Sequence, residues 1–284
     1  MTDTSTVVGT DMRVDLLASG SKGNACLVRD ENTCILIDCG GTKKYLMNAL
    51  AEASVSLNDI NALLITHDHS DHISQIKHFR DLTIYSPVEI VDTETLHVEP
   101  MKKFTVGSFT ILPLALSHDA LHTTGYVMEN GKEKLVYITD TGYIKESYLP
   151  FLQDADRIVL ECNHDVDMLM QSRRPQYVKA RIYSDEGHLC NEDCADILAR
   201  ILSPKTKTIF LAHISREANT RELALETVCR RLRGVQGINK DLVICAAGQF
   251  EPLTGGDNDE EMDCGSVSCA LGMECRADRN TVLR

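Results

Sequence analysis

The sequence predicts an α/β domain of four layers, an αββα sandwich in which two mixed β-sheets pack face to face with helices outside. Three observations predict it. Short apolar strands alternate with helical stretches up to about Tyr85, consecutive strands fill residues 103–140, and alternation then resumes to Ala246, so that the second half mirrors the first. At 284 residues the chain can bury a substantial core in one domain.

In order, VDLLASGSKGNACLVRD and TCILIDCGG read as strands separated by a Gly/Ser/Asn turn, with a helix over 42–52. A buried strand over 61–65, a helix over 74–80 and a strand over 82–85 follow. FTVGSFTILPLAL, GYVMEN and LVYITD are successive strands, the last two joined by an Asn130-Gly131 turn, a strong hairpin signal. Helix 146–153, strand 157–161, helix 192–202, strand 208–212, helix 221–233 and strand 242–246 complete the alternation. The catalytic domain is expected to span 1–252. Residues 253–284 are acidic, Gly-rich and aperiodic, and read as a disordered or loosely held tail carrying Cys264, Cys269 and Cys275.

Composition narrows the setting. No stretch reaches the roughly 18 to 20 consecutive apolar residues of a membrane span, and MTDTSTVVGTDMR has no apolar signal-peptide core, so a cytoplasmic protein with no membrane partner is expected. The eleven cysteines mostly stand singly in apolar segments, as reduced buried thiols do. Cys190 and Cys194 suggest one thiol at a helix start and one on its face. A net charge of −13 argues against general attraction to nucleic acid, although Arg173, Arg174, Lys179 and Arg181 form a candidate basic loop.

The chemistry is concentrated in THDHSDH, residues 66–72, at the end of an apolar strand. A core rarely accepts so many adjacent imidazoles and carboxylates, because each buried polar group needs a partner or costs about 1 to 3 kcal/mol. In an extended segment His67 and His69 point the same way and can converge on one ion, while Asp71 and His72, in the turn that follows, can face a second. Imidazole and carboxylate donors suit zinc, with manganese as the alternative.

This pattern, HxHxDH after a strand, resembles the signature of the metallo-β-lactamase superfamily. The resemblance extends to about Pro252 through His118 in LSHD, Asp140 in YITDTG and His213 in FLAHIS, each at a strand end. It implies the αββα sandwich of that family and two divalent metal ions. His67, His69 and His118 would hold one ion, Asp71, His72 and His213 the other, and Asp140 would bridge. Asp38 in LIDCG would support the ligand histidines by accepting an N–H.

The fold does not choose the substrate. His69, where the diiron branch typically has an acid, points to a hydrolytic centre. LECNHD and GHLCNEDCADIL resemble motifs of the RNase Z type, which makes Glu161 and His188 a candidate proton-delivery pair for an alkoxide leaving group. The run of LASGSKGN, LIDCG, THDHSDH, LSHDA, YITDTG, LECNHDVDML, GHLCN and LAHISREAN resembles the YycJ/WalJ group of single-domain exonucleases, described as acting from the 5′ end of DNA. Cys162 and Cys190 depart from the serine more usual there. Asp68 could orient the attacking water. Ser19, Ser21, Lys22 and Asn24 offer phosphate donors, with Gly20 and Gly23 allowing close backbone approach; Asn163 and His164 could shape the cleft, and Arg216 and Asn219 could contact substrate. The expected function is a two-metal phosphodiesterase acting on DNA, with RNA as a further candidate. A small-molecule ester, thioester, lactone or cyclic phosphodiester hydrolase, or a non-catalytic regulatory binding module, is the alternative.

Overall fold

The computed structural model describes residues 11–255 and the backbone of 268–270. The first sheet is built from β1 (Arg13–Ala18), β2 (Ala25–Arg29), β3 (Cys34–Ile37), β4 (Ala62–Leu64), β5 (Thr83–Ser86) and β6 (Leu96–His97). The second contains β7 (Phe104–Val106), β8 (Phe109–Ala115), β9 (Thr124–Glu129), β10 (Lys134–Ile138), β11 (Arg157–Glu161), β12 (Thr208–Ala212) and β13 (Val243–Ala246). Two further strands, β14 (Leu253–Gly255) and β15 (Ser268–Ala270), join β1 and β13 respectively. The sheet orders are β14-β1-β2-β3-β4-β5-β6 and β15-β13-β12-β11-β10-β9-β8-β7.

The two-residue period of the strands sorts their side chains between layers. Ile37 and Leu64 meet Tyr126, Tyr137 and Phe210 between the sheets. The alternate residues Leu36 and Leu63 face α1 (Lys43–Glu52), whose Leu46 and Leu50 cover the outer side. On the other flank Ile158, Leu160 and Leu211 pack beneath α6 (Asn191–Ile201) and α7 (Arg221–Leu232) through Leu198, Leu225 and Val228. β3, β4, β11 and β12 are therefore buried on both faces and read as continuous apolar runs. This is the expected four-layer αββα sandwich.

Within it β3, β4 and β5 run parallel, as do β10, β11, β12 and β13. Residues that follow β3, β4, β10, β11 and β12 consequently emerge at one end of the sandwich, where the two sheets meet.

Several local expectations shift. The helix expected over 74–80 is instead α2 (Ser70–Ile73) and a 3-10 turn, Ile76–His78, because the Gln75 N–H turns away to the carbonyl of Cys39. The helix at 146–153 is split into a 3-10 turn, Glu146–Tyr148, and α3 (Leu149–Leu152), with Pro150 in its first turn. The β9–β10 loop has four residues, with Asn130 Oδ1 accepting the N–H groups of Lys132 and Glu133. The basic segment is not a loop throughout: it follows α4 (Val166–Gln171), capped by Asp165, and α5 (Gln176–Ile182) occupies its second half. Lys179 there is buried and donates to the Met170 carbonyl, Arg174 pairs with Glu217, and Arg181 pairs with Asp119. The sheets also continue past the boundary expected at 252, since β14 and β15 pair with the edges of β1 and β13. The rest of the expected tail, including Cys264 and Cys275, lies outside the described residues.

Cys190 caps α6, accepting the Asp193 N–H, and Cys194 is buried on the same helix. All eight cysteine side chains described are buried. Among the described residues no helix is long and apolar enough to cross a membrane.

A buried ion cluster ties the second sheet together away from the site. Glu133 accepts from Arg157 (2.7 Å) and Lys207 (2.6 Å), and from the Met12 N–H (2.6 Å). Burial alone pushes the Glu133 carboxyl up, but Lys207, Arg157 and the Met12 N–H outweigh it and hold it below its ordinary value of 4.5. Glu133→Gln, which removes the charge that compensates buried Arg157, is expected to cost about 3 kcal/mol at neutral pH by urea denaturation. The sign follows from linkage: the carboxylate's contribution is whole above the ordinary value and fades as pH falls through the lowered folded one. The wild-type advantage should therefore narrow only in acid; a gap independent of pH down to acid unfolding would contradict the assignment.

Candidate metal centre

Three residues just past strand ends carry the centre in a left-handed backbone conformation. Asp38 after β3 has φ 57°, Asp140 beyond β10 has φ 58° and His213 after β12 has φ 54°. For residues with a Cβ this costs of order 1 to 2 kcal/mol each, so the surroundings must impose it. Asp38 N–H donates to the Leu64 carbonyl (2.8 Å) and His213 N–H to Ser19 Oγ (2.7 Å). The bend turns each side chain off the strand and toward the end of the sandwich.

Thr66 and His67 follow β4. Asp38 accepts the Thr66 N–H (2.9 Å), the Thr66 hydroxyl (2.9 Å) and His72 Nδ1 (2.7 Å). Its carboxylate thus fixes the His72 ring and leaves Nε2 facing inward, 3.3 Å from Asp140 Oδ2 and 3.6 Å from Asp71 Oδ2. The Asp71 turn lies against the LIDCGG loop so closely that a Cβ at Gly40 would sit 1.7 Å from the Asp71 carbonyl oxygen. Only glycine fits there.

Three groups of donor atoms each lie within 4.8 Å of one another: His67, His69 and His118; His67, His72 and Asp140; and Asp140, Glu161, His188 and His213. Asp140 belongs to two of them. Its Oδ1 lies 3.4 Å from His213 Nδ1, 3.7 Å from His188 Nδ1 and 3.9 Å from His118 Nε2, while Oδ2 faces His72. Glu161 Oε1 accepts from both His188 Nδ1 and His213 Nδ1, each at 2.8 Å. The other carboxylate oxygen accepts the Thr141 N–H (2.9 Å) and, more weakly, the Leu189 N–H (3.4 Å).

These donors fit cations. Among the described residues His67 Nε2, Asp140 Oδ2 and His213 Nε2 are buried with no hydrogen-bond partner, an arrangement that costs about 1 to 3 kcal/mol per atom unless another ligand engages them. Burial, with His72 beside it, holds His67 neutral and its lone pair available. Burial would raise the Asp140 carboxyl, but His213 and His72 hold it well below the usual carboxylate range. Glu161 likewise falls to about 2 against the pull of burial, chiefly through His188 and His213. Burial would lower His213, yet Asp140 and Glu161 raise it to about 9. Two ionised carboxylates buried among imidazoles draw positive charge to this point, and the donor set is of the kind that binds divalent metals.

The other residues singled out divide by exposure. Asp68, Ser21, Lys22 and Arg216 are exposed. Ser19, Asn24, Asn163 and Asn219 are buried, and their side chains are engaged within the fold. Ser19 accepts from His213 N, and Asn24 donates to Gly20 O (3.1 Å) and Asp71 Oδ2 (3.2 Å) and touches His72 Nε2 (2.9 Å). Asn163 donates to the His213 carbonyl (2.7 Å); Asn219 donates to the carbonyls of Cys162 and Asn163 (3.1 Å each) and to Asn191 (2.8 Å). These four side chains bond to the backbone and side chains that carry the centre. His164 is buried as well.

One residue escaped the sequence reading. Asp119 Oδ1 lies 3.1 Å from His118 Nε2 and 3.9 Å from His69 Nε2, and the other oxygen pairs with Arg181. Its signal was an acid immediately after His118, in a loop where acids are common.

A family model described as a beta-lactamase superfamily domain matches residues 33–214. Exodeoxyribonuclease YycJ of Bacillus anthracis is 35% identical over 235 residues, 78% of this chain and 89% of that protein. Exodeoxyribonuclease WalJ of Streptococcus pneumoniae is 35% identical over 236 residues, 78% and 88% respectively. Among solved structures, the metallo-beta-lactamase fold protein YhfI from Bacillus subtilis superposes with a TM-score of 0.64 at 19% identity, covering 86% of this chain and all of that one.

Proposed function

This chain belongs to the beta-lactamase superfamily and is a metal-dependent hydrolase of the metallo-β-lactamase fold, and from that premise we propose that it cleaves DNA as an exonuclease working from the 5′ end. His67, His69 and His118 would hold one ion, Asp71, His72 and His213 the second, and Asp140 would serve both. Zinc suits this set best, with manganese as the alternative. The eight buried cysteines fit a reducing, cytoplasmic setting.

The observation that carries the substrate class is the Glu161–His188 pair, bonded at 2.8 Å beside Asp140. An alkoxide leaving group needs a proton that the thiolate leaving a thioester needs less. Glu161 fixes His188 through Nδ1, which leaves Nε2 as the ring atom that hands a proton to the departing oxygen. The same carboxylate holds His213 by Nδ1. Exposed Asp68 accepts a proton from, and orients, the attacking water, while Ser21 and Lys22 meet the phosphate at the rim of the SGSKGN loop. When bound, the ions would acidify water and offset charge on the phosphoryl oxygens.

The test is incubation of 5′-labelled and 3′-labelled DNA and RNA with the metal-loaded protein, with the same protein after chelation, and after zinc or manganese is returned. Mononucleotides released from the 5′ end of DNA, lost on chelation and restored by metal, are the expected result. Intact DNA with rapid hydrolysis of a thioester or lactone would refute the reading.

A further inference from the structure

His188 is shared between the metal centre and a cleft of about 390 Å³ that the mechanism above leaves unused. Two loops shape its mouth. The Gly142–Tyr143 loop beyond β10 lies against the 183–187 loop beyond α5, so closely that a Cβ at Gly142 would come within 2.3 Å of the Asp185 backbone and 2.4 Å of the Ser184 carbonyl. That approach brings Tyr143 and Tyr183 to one opening, exposed by 41% and 56%.

The lining has a definite chemistry. His164 is wholly buried, neither ring nitrogen has a hydrogen-bond partner among the described residues, and its ring meets Tyr183 edge-on at 6.3 Å. Burial, its main perturbation, lowers His164 to about 4, so at neutral pH the ring offers one donor and one acceptor. Asp185 and Asp193 line the same cleft, and Glu146 there is paired with Arg200. Such an acidic wall repels phosphate and accepts N–H groups, while the two tyrosines present flat faces.

We infer that this cleft is a nucleobase subsite, in which the base of the nucleotide on the leaving-group side stacks on Tyr143 and Tyr183 and turns its polar edge toward His164. The inference rests on the DNA reading above and deepens it. The shared residue explains the location: the group that protonates the departing oxygen must lie beside the nucleoside that departs. A stacked base would hold that oxygen near His188 without adding negative charge to an acidic pocket.

The experiment compares wild type with Tyr143→Ala, Tyr183→Ala and the corresponding phenylalanine variants. The substrates are a DNA oligonucleotide and its match carrying an abasic tetrahydrofuran residue at the leaving nucleotide. Each alanine variant should lose about tenfold in kcat/KM on intact DNA, the size of one base–aromatic stack. Phenylalanine, which keeps the ring face, should stay within about twofold. Wild type and alanine variants should cleave the abasic substrate at equal rates. Alanine variants as fast as wild type on intact DNA, or equally slowed on abasic DNA, would overturn the subsite while leaving the nuclease reading intact. A wild-type protein that cleaves no DNA would overturn both.

Discussion

Asp140→Ala is expected to lower phosphodiester cleavage by about 10³-fold, some 4 kcal/mol of lost transition-state stabilisation, together with the metal content of the purified protein. The magnitude follows from the residue's place. One carboxylate lies within 3.9 Å of His72, His118, His188 and His213, and its buried Oδ2 has no hydrogen-bond partner among the described residues. Alanine leaves four imidazoles facing one another with no bridging anion. Asp140→Asn separates charge from shape: it keeps the volume and one acceptor oxygen, but not the charge that draws a divalent ion. Both variants should therefore lose metal, measured by atomic absorption after dialysis, and the asparagine form should fold as stably as wild type. Full metal occupancy in Asp140→Asn would remove the bridging role.

The second large effect concerns Glu161, where one oxygen serves two rings. Glu161→Gln is expected to lower kcat by about 10²-fold through loss of oriented proton delivery, and to weaken metal binding by about 10- to 100-fold through His213. The neutral amide cannot hold both Nδ1–H groups with the strength of a carboxylate at 2.8 Å. His188→Ala distinguishes the two losses, because it removes the proton donor while Glu161 still supports His213. That variant should show the fall in kcat with metal affinity close to wild type. If His188→Ala lost metal as readily as Glu161→Gln, His188 would be a ligand and the proton-delivery role would fail; the 3.7 Å between His188 Nδ1 and Asp140 makes the distinction worth measuring.

Much of this centre was legible in the chain. THDHSDH announced donors at a strand end, and the strand-end positions of His118, Asp140 and His213 were read correctly, because a strand's period and its terminus are properties of a few consecutive residues. The short helices were less legible. The turn at Ile76–His78 depends on a hydrogen bond from Gln75 to Cys39 that no local propensity specifies. The basic run 173–181 looked like a phosphate loop, yet Lys179 is buried in α5 and Arg174 and Arg181 are paired with acids, Glu217 and Asp119, remote in sequence.

The polar residues show the same division. Ser19 and Asn24 suit a phosphate loop by composition, but Ser19 meets the His213 N–H across 194 positions, and Asn24 reaches Asp71 and His72. A hydroxyl or amide has the same chemistry whether it faces substrate or satisfies a buried backbone group, so only its neighbours decide its use. By itself, the sequence determined the layered α/β class, the donor types and the strand ends that carry them. Tertiary structure alone decided which donors share an ion-sized space, which carboxylate holds two histidines, and which polar side chains remain free. Those outcomes depend on distances between segments far apart in the chain, set by how the two sheets pack.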